Sequence, residues 1–289
     1  MTDGHTDIDG LTVRRHLVDA GDVRLLVHDV GVGEPLVLLH GGGPGASALG
    51  NFSGNRADLS RHFRVIGIDM PGYGGSDKPE YGGPYQQFAS EAVAAALASV
   101  GVERATLLGN SLGGGVSVHL ALTHPDLVSK LVLVGAAGAA PSFIVPSPSE
   151  GTKHLTGFYD PPGPSPEKME AFMKVMFYDH SLVTPEMVAT RYAQAIDPEV
   201  RQGVERVYAA LAGGASVMGE EIWKQVGNIQ QPTLLVWGRD DRMLPLDGAL
   251  YMLSRMANAR LHVFARCGHW SQHEHRDEFN RLVIDFVSH

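Results

Sequence analysis

The chain has 289 residues, of which 44% are apolar and 19% are charged, and its formal charge is −9. The length fits one domain with a long insertion, and the composition is that of an ordinary globular protein. A negative charge without a cluster of Lys and Arg argues against nucleic acid and anionic membranes as partners. One cysteine permits no intramolecular disulfide, and without a signal peptide or an apolar run of membrane-spanning length we expect a cytoplasmic protein.

Short apolar runs in the first half of the chain predict strands that end in glycine-rich turns. These runs lie at residues 23–29, 36–39, 64–69, 105–108 and 130–134. Helical spacing at residues 88–100 and 112–122 separates the later runs. Because strands that alternate with helices form parallel sheets, the sequence predicts an α/β protein with a mostly parallel sheet flanked by helices.

The segment 139–215 differs in character from the rest of the chain. It is rich in proline, carries amphipathic stretches at 166–177 and 185–196, and contains no strand-like run. We predict that it forms a helical lid inserted into an α/β core made of residues 1–138 and 216–289. The sheet should resume at 233–237 and 261–264, a last helix should cover 274–287, and disorder is expected only at the chain ends.

The pentapeptide Gly109-Asn110-Ser111-Leu112-Gly113 follows an apolar strand and precedes a helical stretch. This is the setting of the nucleophile elbow in the α/β-hydrolase fold. A sharp strand-to-helix turn exposes the serine hydroxyl at the carboxyl edge of the sheet, and the glycines allow neighbouring backbone to approach. The alternative is a tight turn that merely packs a helix on a sheet. The sequence context favours Ser111 as a nucleophile.

A serine nucleophile needs a histidine base and an acid that orients it, and in this fold both follow late strands in the order Ser, Asp, His. Asp241 follows the run 233–237, and His269 follows the run 261–264. Asp240 is the rival acid, and His273 and His275 are rival bases at the start of the last helix. The spacing after the strands favours Asp241 and His269.

The glycine-rich loop at residues 40–43 follows an early strand. Glycines there leave backbone N–H groups free to face the negative charge that develops on a carbonyl oxygen during the reaction. We predict that the amides of Gly42 and Leu112 form this oxyanion site. The alternative is a plain turn.

Other chemistries have little support in the sequence. Cys267 lacks an elbow and is a weak alternative nucleophile. No zinc spacing and no dinucleotide fingerprint are present, so neither a metal nor a cofactor is predicted. Haloalkane dehalogenases and epoxide hydrolases carry an acid at the elbow, which Ser111 disfavours. A non-catalytic small-molecule receptor on the same fold is the alternative outside enzymes.

The sequence resembles the meta-cleavage product hydrolases, which cut a carbon–carbon bond in ring-opened products of aromatic or steroid catabolism. The resemblance begins near residue 25 and covers most of the chain. Its most specific pieces are the segments 40–46, 109–114 and 268–270, together with Asn51. It implies a small-molecule dienoate as the substrate and a homo-oligomer, either a dimer or a larger assembly.

The resemblance also implies which residues bind the dienoate. Those around its 2-hydroxy (or 2-oxo) carboxylate end are Asn51, Asn110, Arg191 and Trp270, and further substrate contacts come from Gly43 and from Ser181 of the lid. A planar guanidinium suits this role because it can hold a carboxylate through two hydrogen bonds. On the sequence pattern alone, Arg191 would instead be an exposed charge on a lid helix.

The mechanism implied by the resemblance has two stages. The dienol first becomes a ketone, and Ser111, or a water activated by His269, then attacks the distal carbonyl. Met173, Met176 and Phe177 suggest an apolar pocket for the rest of the substrate, although they could equally form the core of the lid. We expect a bulky substituent, either an aryl group or a fused-ring steroid fragment. A carboxylesterase or lactonase with the same triad is the alternative function.

Overall fold

A computed structural model describes residues 4–8, 10–137, 142–145, 147–213 and 222–289. Nine strands in this part of the chain form one sheet in the order β1-β2-β3-β5-β4-β6-β7-β8-β9. The first three pairings in that order are antiparallel, and all the later ones are parallel. The strands are β1 (Gly4–Ile8), β2 (Leu11–Ala20), β3 (Val23–Val30), β4 (Pro35–Leu39), β5 (Arg64–Ile68), β6 (Ala105–Asn110), β7 (Val128–Val134), β8 (Thr233–Gly238) and β9 (Ala259–Phe264).

Helices cover both faces of this sheet. They are α1 (Ala48–Asn51), α2 (Arg56–Leu59), α3 (Tyr85–Ser99), α4 (Leu112–Thr123), α5 (Glu150–Thr156), α6 (Pro166–Met176), α7 (Pro185–Ile196), α8 (Pro198–Gly213), α9 (Leu246–Arg255), α10 (Ser271–Glu274) and α11 (Arg276–Ser288). Leu107 packs in the core with Val116 of α4, whereas the next residue, Leu108, packs in the opposite core with Phe279 of α11. Both faces of the strands are therefore buried, which explains why they are continuously apolar.

The α/β architecture predicted from the sequence is confirmed, with strand limits that differ by a few residues. The N-terminal end contains strands that were not predicted, because the first apolar run identified in the sequence begins at residue 23. Residues 11–20 pair with β3 as an antiparallel strand, from Arg14 opposite Asp29 to Ala20 opposite Val23. The edge strand β1 is mostly polar, and β2 beside it mixes apolar with charged residues, so neither has the continuous apolar run of the central strands.

Four helices, α5 to α8, lie between β7 and β8 and form the observed part of the lid. Met169, Phe172, Met173, Phe177 and Val188 pack together in a separate apolar cluster, which also includes two core residues. The predicted limits of the lid at 139 and 215 fall outside the described residues, so its extent stays a prediction. Among the helices described, none combines the length and apolar character needed to cross a bilayer.

Candidate active site

Ser111 occupies the sharp turn between β6 and α4. Its backbone has φ 52° and ψ −117°, a conformation that a residue with a side chain adopts only under strain. Two hydrogen bonds hold the turn, because the Ser111 amide donates to the carbonyl of Val134 at 2.9 Å and its carbonyl accepts from the amide of Ala137 at 2.9 Å. The strain is thus maintained by the neighbouring strand β7 and the chain that follows it.

Glycines on either side of the serine allow this turn to form. A Cβ atom on Gly109 would overlap the carbonyl of Gly113, and one on Gly113 would overlap the carbonyl of Leu39 in β4. Gly113 also donates its amide hydrogen to the carbonyl of His40 at 3.0 Å. Only glycine permits the start of α4 to lie this close to the neighbouring strand.

Replacing Gly113 by alanine is expected to lower the free energy of unfolding by about 4 kcal/mol or more, because backbone must shift to admit the methyl group. Urea denaturation followed by circular dichroism measures this change. Gly115→Ala on the same helix is the matched control, since its nearest atom would lie 3.2 Å from the new Cβ. Equal stability of the two variants would contradict the packing argument.

His269 and Asp241 form a buried pair at the carboxyl edge of the sheet. His269 Nδ1 lies 2.8 Å from Asp241 Oδ2, and the two side chains are 2% and 0% exposed. The other carboxylate oxygen of Asp241 accepts from the amides of Met243 at 2.7 Å and Leu244 at 2.9 Å. The carboxylate is therefore fixed in place and holds the ring so that Nε2 is left for another partner.

The rival residues lie elsewhere. Asp240 Oδ2 pairs with Arg239 at 3.3 Å on the surface. The ring of His275 stacks on Phe264, with ring centroids 4.6 Å apart. Burial, followed by the nearby charge of Arg191, lowers the pKa of His273 to about 4. Among the described residues, neither rival histidine has a carboxylate partner of the kind that His269 has in Asp241.

Burial also argues against Cys267 as the nucleophile. Cys267 has no exposed surface, and burial raises the pKa of its thiol well above the usual range, with the charge of Glu274 adding to the effect. A thiol that resists ionisation is a poor nucleophile.

Ser111 and His269 line the same narrow cavity between the sheet and the lid, and its free volume is only about 10 Å³. His269 Nε2 is buried in it without a hydrogen-bond partner, so Ser111 and His269 are not hydrogen bonded here. Such bonds are often long before substrate binds. The residues that line the cavity are Gly41, Gly42, Gly43, Asn51, Ser111, Leu155, Phe172, Met176, Arg191, Met243, His269 and Trp270.

The glycine loop has its carbonyl groups held away from the cavity. His40 Nε2 accepts from the amide of Met70 at 2.9 Å, which leaves Nδ1 protonated to donate to the carbonyl of Gly41 at 2.8 Å. Burial lowers the pKa of His40, so the ring stays neutral in this role. In a trans peptide the N–H points opposite to the preceding C=O, so this bond fixes the direction of the Gly42 amide.

Two tyrosines hold the next peptide in the same way. The carbonyl of Gly42 accepts from Tyr73 Oη at 2.9 Å and from Tyr208 Oη of α8 at 3.0 Å. A Cβ on Gly42 would lie 2.8 Å from Leu112 Cδ2, so the loop and the elbow are in close contact. The Leu112 amide is the first of α4 and has no helical carbonyl before it to accept its hydrogen.

Arg191 of α7 points toward the glycine loop. Its guanidinium lies over the rings of Trp270 at 4.9 Å and Phe172 at 5.8 Å, and a Cβ on Gly43 would be 3.0 Å from Nη2. In the described part of the chain no carboxylate pairs with Arg191, and its buried Nε has no hydrogen-bond partner. Burial lowers its pKa to about 10, so the side chain is still a cation at neutral pH. A buried cation without a carboxylate partner is expected to favour an anion beside it.

Asn51 and Asn110 form a hydrogen-bonded chain behind the glycine loop. Asn51 Oδ1 accepts from the amide of Gly41 at 3.1 Å, and Asn51 Nδ2 donates to Asn110 Oδ1 at 3.2 Å. Asn110 Nδ2 in turn donates to the carbonyl of Val134 at 3.0 Å. Asn51 lines the cavity, whereas Asn110 lies behind it and orients Asn51.

Ser181 does not reach the cavity, contrary to the expected substrate contact. It lies exposed in the short helix His180–Leu182, and its hydroxyl donates to Asp179 Oδ1 at 2.6 Å. Asp179 also caps this turn by accepting from the Ser181 amide, which directs the serine outward. Met173 and Phe177 pack in the lid cluster instead, and only Met176 of these three apolar residues lines the cavity.

Several residues that shape the site were not predicted. His40 and Tyr208 orient the glycine loop, Phe172 packs beside Arg191, and Gly135 lies under the His269 ring, where a Cβ would be 2.8 Å from Nδ1. The signal for His40 was present in the sequence, since it directly precedes the glycines. The others come from distant parts of the chain.

Comparison with known proteins places this geometry in a family. The sequence model of the α/β-hydrolase fold family matches residues 34–276. A 2-hydroxy-6-oxononadienedioate/2-hydroxy-6-oxononatrienedioate hydrolase from Paraburkholderia phymatum is 39% identical over 291 residues, covering 99% of this chain and 99% of the relative. A protein of the same name from Burkholderia vietnamiensis is 39% identical over 271 residues, covering 93% of this chain and 92% of the relative.

Solved structures agree with the sequence relatives. The meta-cleavage product hydrolase CumD from Pseudomonas fluorescens IP01 superposes with a TM-score of 0.82 at 33% identity, covering 95% of this chain and 97% of that one. The 2-hydroxy-6-oxo-6-phenylhexa-2,4-dienoate hydrolase BphD from Rhodococcus sp. strain RHA1 superposes with a TM-score of 0.87 at 27% identity. The match covers 96% of this chain and 100% of that one. The chain therefore belongs to the meta-cleavage product hydrolases of the α/β-hydrolase fold.

Proposed function

We propose that this enzyme hydrolyses a carbon–carbon bond in a 2-hydroxy-6-oxo-hexa-2,4-dienoate that carries an apolar aryl substituent. The observation that carries the proposal is the unpaired cation Arg191 in the same cavity as Ser111 and the free nitrogen of His269. This pairing suits a substrate with a carboxylate at one end and a carbonyl group within reach of the serine. A simple esterase has no use for the cation.

In the proposed reaction the carboxylate binds to Arg191, with Asn51 and the Gly43 amide beside it, and the dienol becomes its keto form. Ser111 then gives its proton to His269 and adds to the distal carbonyl, whose oxygen is held by the amides of Gly42 and Leu112. The adjacent carbon–carbon bond breaks, its electron pair passes through the conjugated chain to the 2-oxo oxygen, and the departing dienolate takes up the proton held by His269. Water then hydrolyses the acyl group from the serine.

The rest of the cavity supports an uncharged substituent. Leu155, Met176 and Met243 supply apolar surface, and Arg191 is the only Lys or Arg among the described residues that line the cavity. The residues outside the described part contain no Lys, Arg or His. The 39% identical relatives are named for substrates with a second carboxylate, which would be unpaired here. An aryl group is supported by the neighbour BphD, which is named for a dienoate that carries a phenyl group.

Three substrate types test this proposal: an aryl-substituted dienoate, a dienoate with a second carboxylate, and a nitrophenyl ester. We expect kcat/KM for the aryl compound to exceed that for the dioate by about tenfold or more, because the pocket would leave the second carboxylate unpaired. Loss of the visible absorbance of the dienoates measures turnover. Faster turnover of the dioate would contradict the proposed substituent.

The esterase alternative is tested by the same panel. An esterase from Exiguobacterium antarcticum shares the fold, with a TM-score of 0.77 at 25% identity over 92% of this chain and 96% of that one. Hydrolysis of the nitrophenyl ester without loss of dienoate absorbance would favour that alternative. Assembly into a homo-oligomer and a cytoplasmic location stay predictions, measured by light scattering and cell fractionation.

A further inference from the structure

Glu274, at the end of α10, accepts three hydrogen bonds from backbone amides. Its Oε1 accepts from Gly268 at 2.6 Å, and its Oε2 accepts from Tyr178 at 2.9 Å and Asp179 at 3.0 Å. Gly268 directly precedes His269, whereas Tyr178 and Asp179 follow lid helix α6. One carboxylate thus joins the loop of the proposed base to the lid.

The lid and the histidine loop meet at a second point beside this carboxylate. The carbonyl of Met176, the last residue of α6, accepts from the amide of His269 at 2.8 Å and from that of Trp270 at 3.3 Å. Gly268 packs tightly here, since a Cβ would lie 2.5 Å from the same Met176 oxygen. The backbone that carries His269 is therefore bonded to the end of a lid helix rather than only to the core.

Besides these amides, the carboxylate interacts with the buried thiol of Cys267, whose pKa it helps to raise. It does not line the active-site cavity, and no basic side chain forms an ion pair with it within the described ranges. Hydrogen bonds to a charged acceptor are stronger than neutral ones, and a neutral amide cannot replace a carboxylate that accepts on both oxygens. A glutamine at position 274 would place its amide nitrogen against a backbone N–H donor, either at Gly268 or at Tyr178 and Asp179.

We infer that Glu274 is a positioning residue that couples the seating of the lid to the position of His269. When the lid lies against the core, Tyr178, Asp179 and Met176 fix the loop that presents the imidazole to Ser111. When the lid lifts, that loop loses the same bonds. The expected effect on kcat rests on the proposed function, whereas the expected effect on the backbone of the lid and the His269 loop does not.

The test is Glu274→Gln, with Asp277→Asn as a matched control on the exposed face of the next helix. We expect kcat for the aryl dienoate to fall by roughly 10- to 100-fold in Glu274→Gln, since small displacements of a reacting group cost this much. KM should change less, because Arg191 and Asn51 are not among the partners of Glu274. Glu274→Asp keeps both oxygens and should recover part of the loss.

Hydrogen–deuterium exchange of the intact enzyme measures backbone opening in the two segments and does not depend on turnover. Glu274→Gln should raise exchange in residues 176–182 and 268–270 together, and Asp277→Asn should change neither. Wild-type kcat in Glu274→Gln, or faster exchange in only one of the two segments, would overturn the coupling. Failure of the wild-type enzyme to consume any dienoate would overturn the proposed function while leaving the exchange result valid.

Discussion

Replacing Ser111 by alanine is expected to lower kcat for the dienoate by about 10⁴- to 10⁶-fold, the range found when a serine nucleophile is removed. The serine sits in a strained turn held by Val134 and Ala137, and the variant keeps that turn because alanine also has a Cβ. Binding should survive, since Arg191 is untouched. Stopped-flow absorbance at enzyme excess measures both the binding of the dienoate and its disappearance.

Cys267→Ala is the control for the serine variant. Its thiol is buried and resists ionisation, so kcat should stay within about threefold of the wild-type value. Rapid quench of the wild-type enzyme followed by mass spectrometry should find an acyl group on Ser111. Turnover by Ser111→Ala near the wild-type rate, with no acyl adduct on the wild-type serine, would contradict the nucleophilic role and favour a water activated by His269.

The sequence reveals the parts of this site that depend on local patterns. The elbow needs glycines beside Ser111 within one short turn, and the order of strands places Asp241 and His269 at the same sheet edge. These requirements act over a few residues and are visible in the chain itself. The central strands are equally visible, because burial on both faces demands continuous apolar runs.

The remaining features depend on contacts between distant segments. Tyr208 meets Gly42 across 166 positions, and Glu274 meets Tyr178 across 96, with no spacing that would mark either pair. Ser181 follows the cavity residue Met176 by only a few positions along the chain. A local hydrogen bond to Asp179 nevertheless directs its side chain outward. The outer strands β1 and β2 were not predicted because neither has a continuous apolar run; β1 pairs with β2, and β2 pairs with β3.

Replacing Arg191 by methionine is expected to lower kcat/KM for the dienoate by roughly 10²- to 10³-fold, the cost of losing one partner of a buried ion pair. Methionine keeps an unbranched side chain but ends before the guanidinium, so the substitution removes the charge together with the stacking of that group on Trp270. The kcat/KM of Arg191→Lys should lie between those of the wild type and Arg191→Met, because an ammonium keeps the charge but lacks the planar arrangement of two donors. Arg201→Met on neighbouring α8 is the control, since Arg201 pairs with Glu205 on the surface. Steady-state kinetics on all three variants measures the effect.

The same substitution should make the free enzyme more stable, by about 1 kcal/mol in the free energy of unfolding. Burial lowers the pKa of Arg191 to about 10, below the 12.5 of an exposed arginine, so folding disfavours its charged form. This penalty is present in full at pH 7, because the group is protonated in both states there, and it declines only above pH 10. Urea unfolding at pH 7 measures it. Loss of activity together with lower stability would mean that Arg191 supports the lid rather than binds the substrate carboxylate.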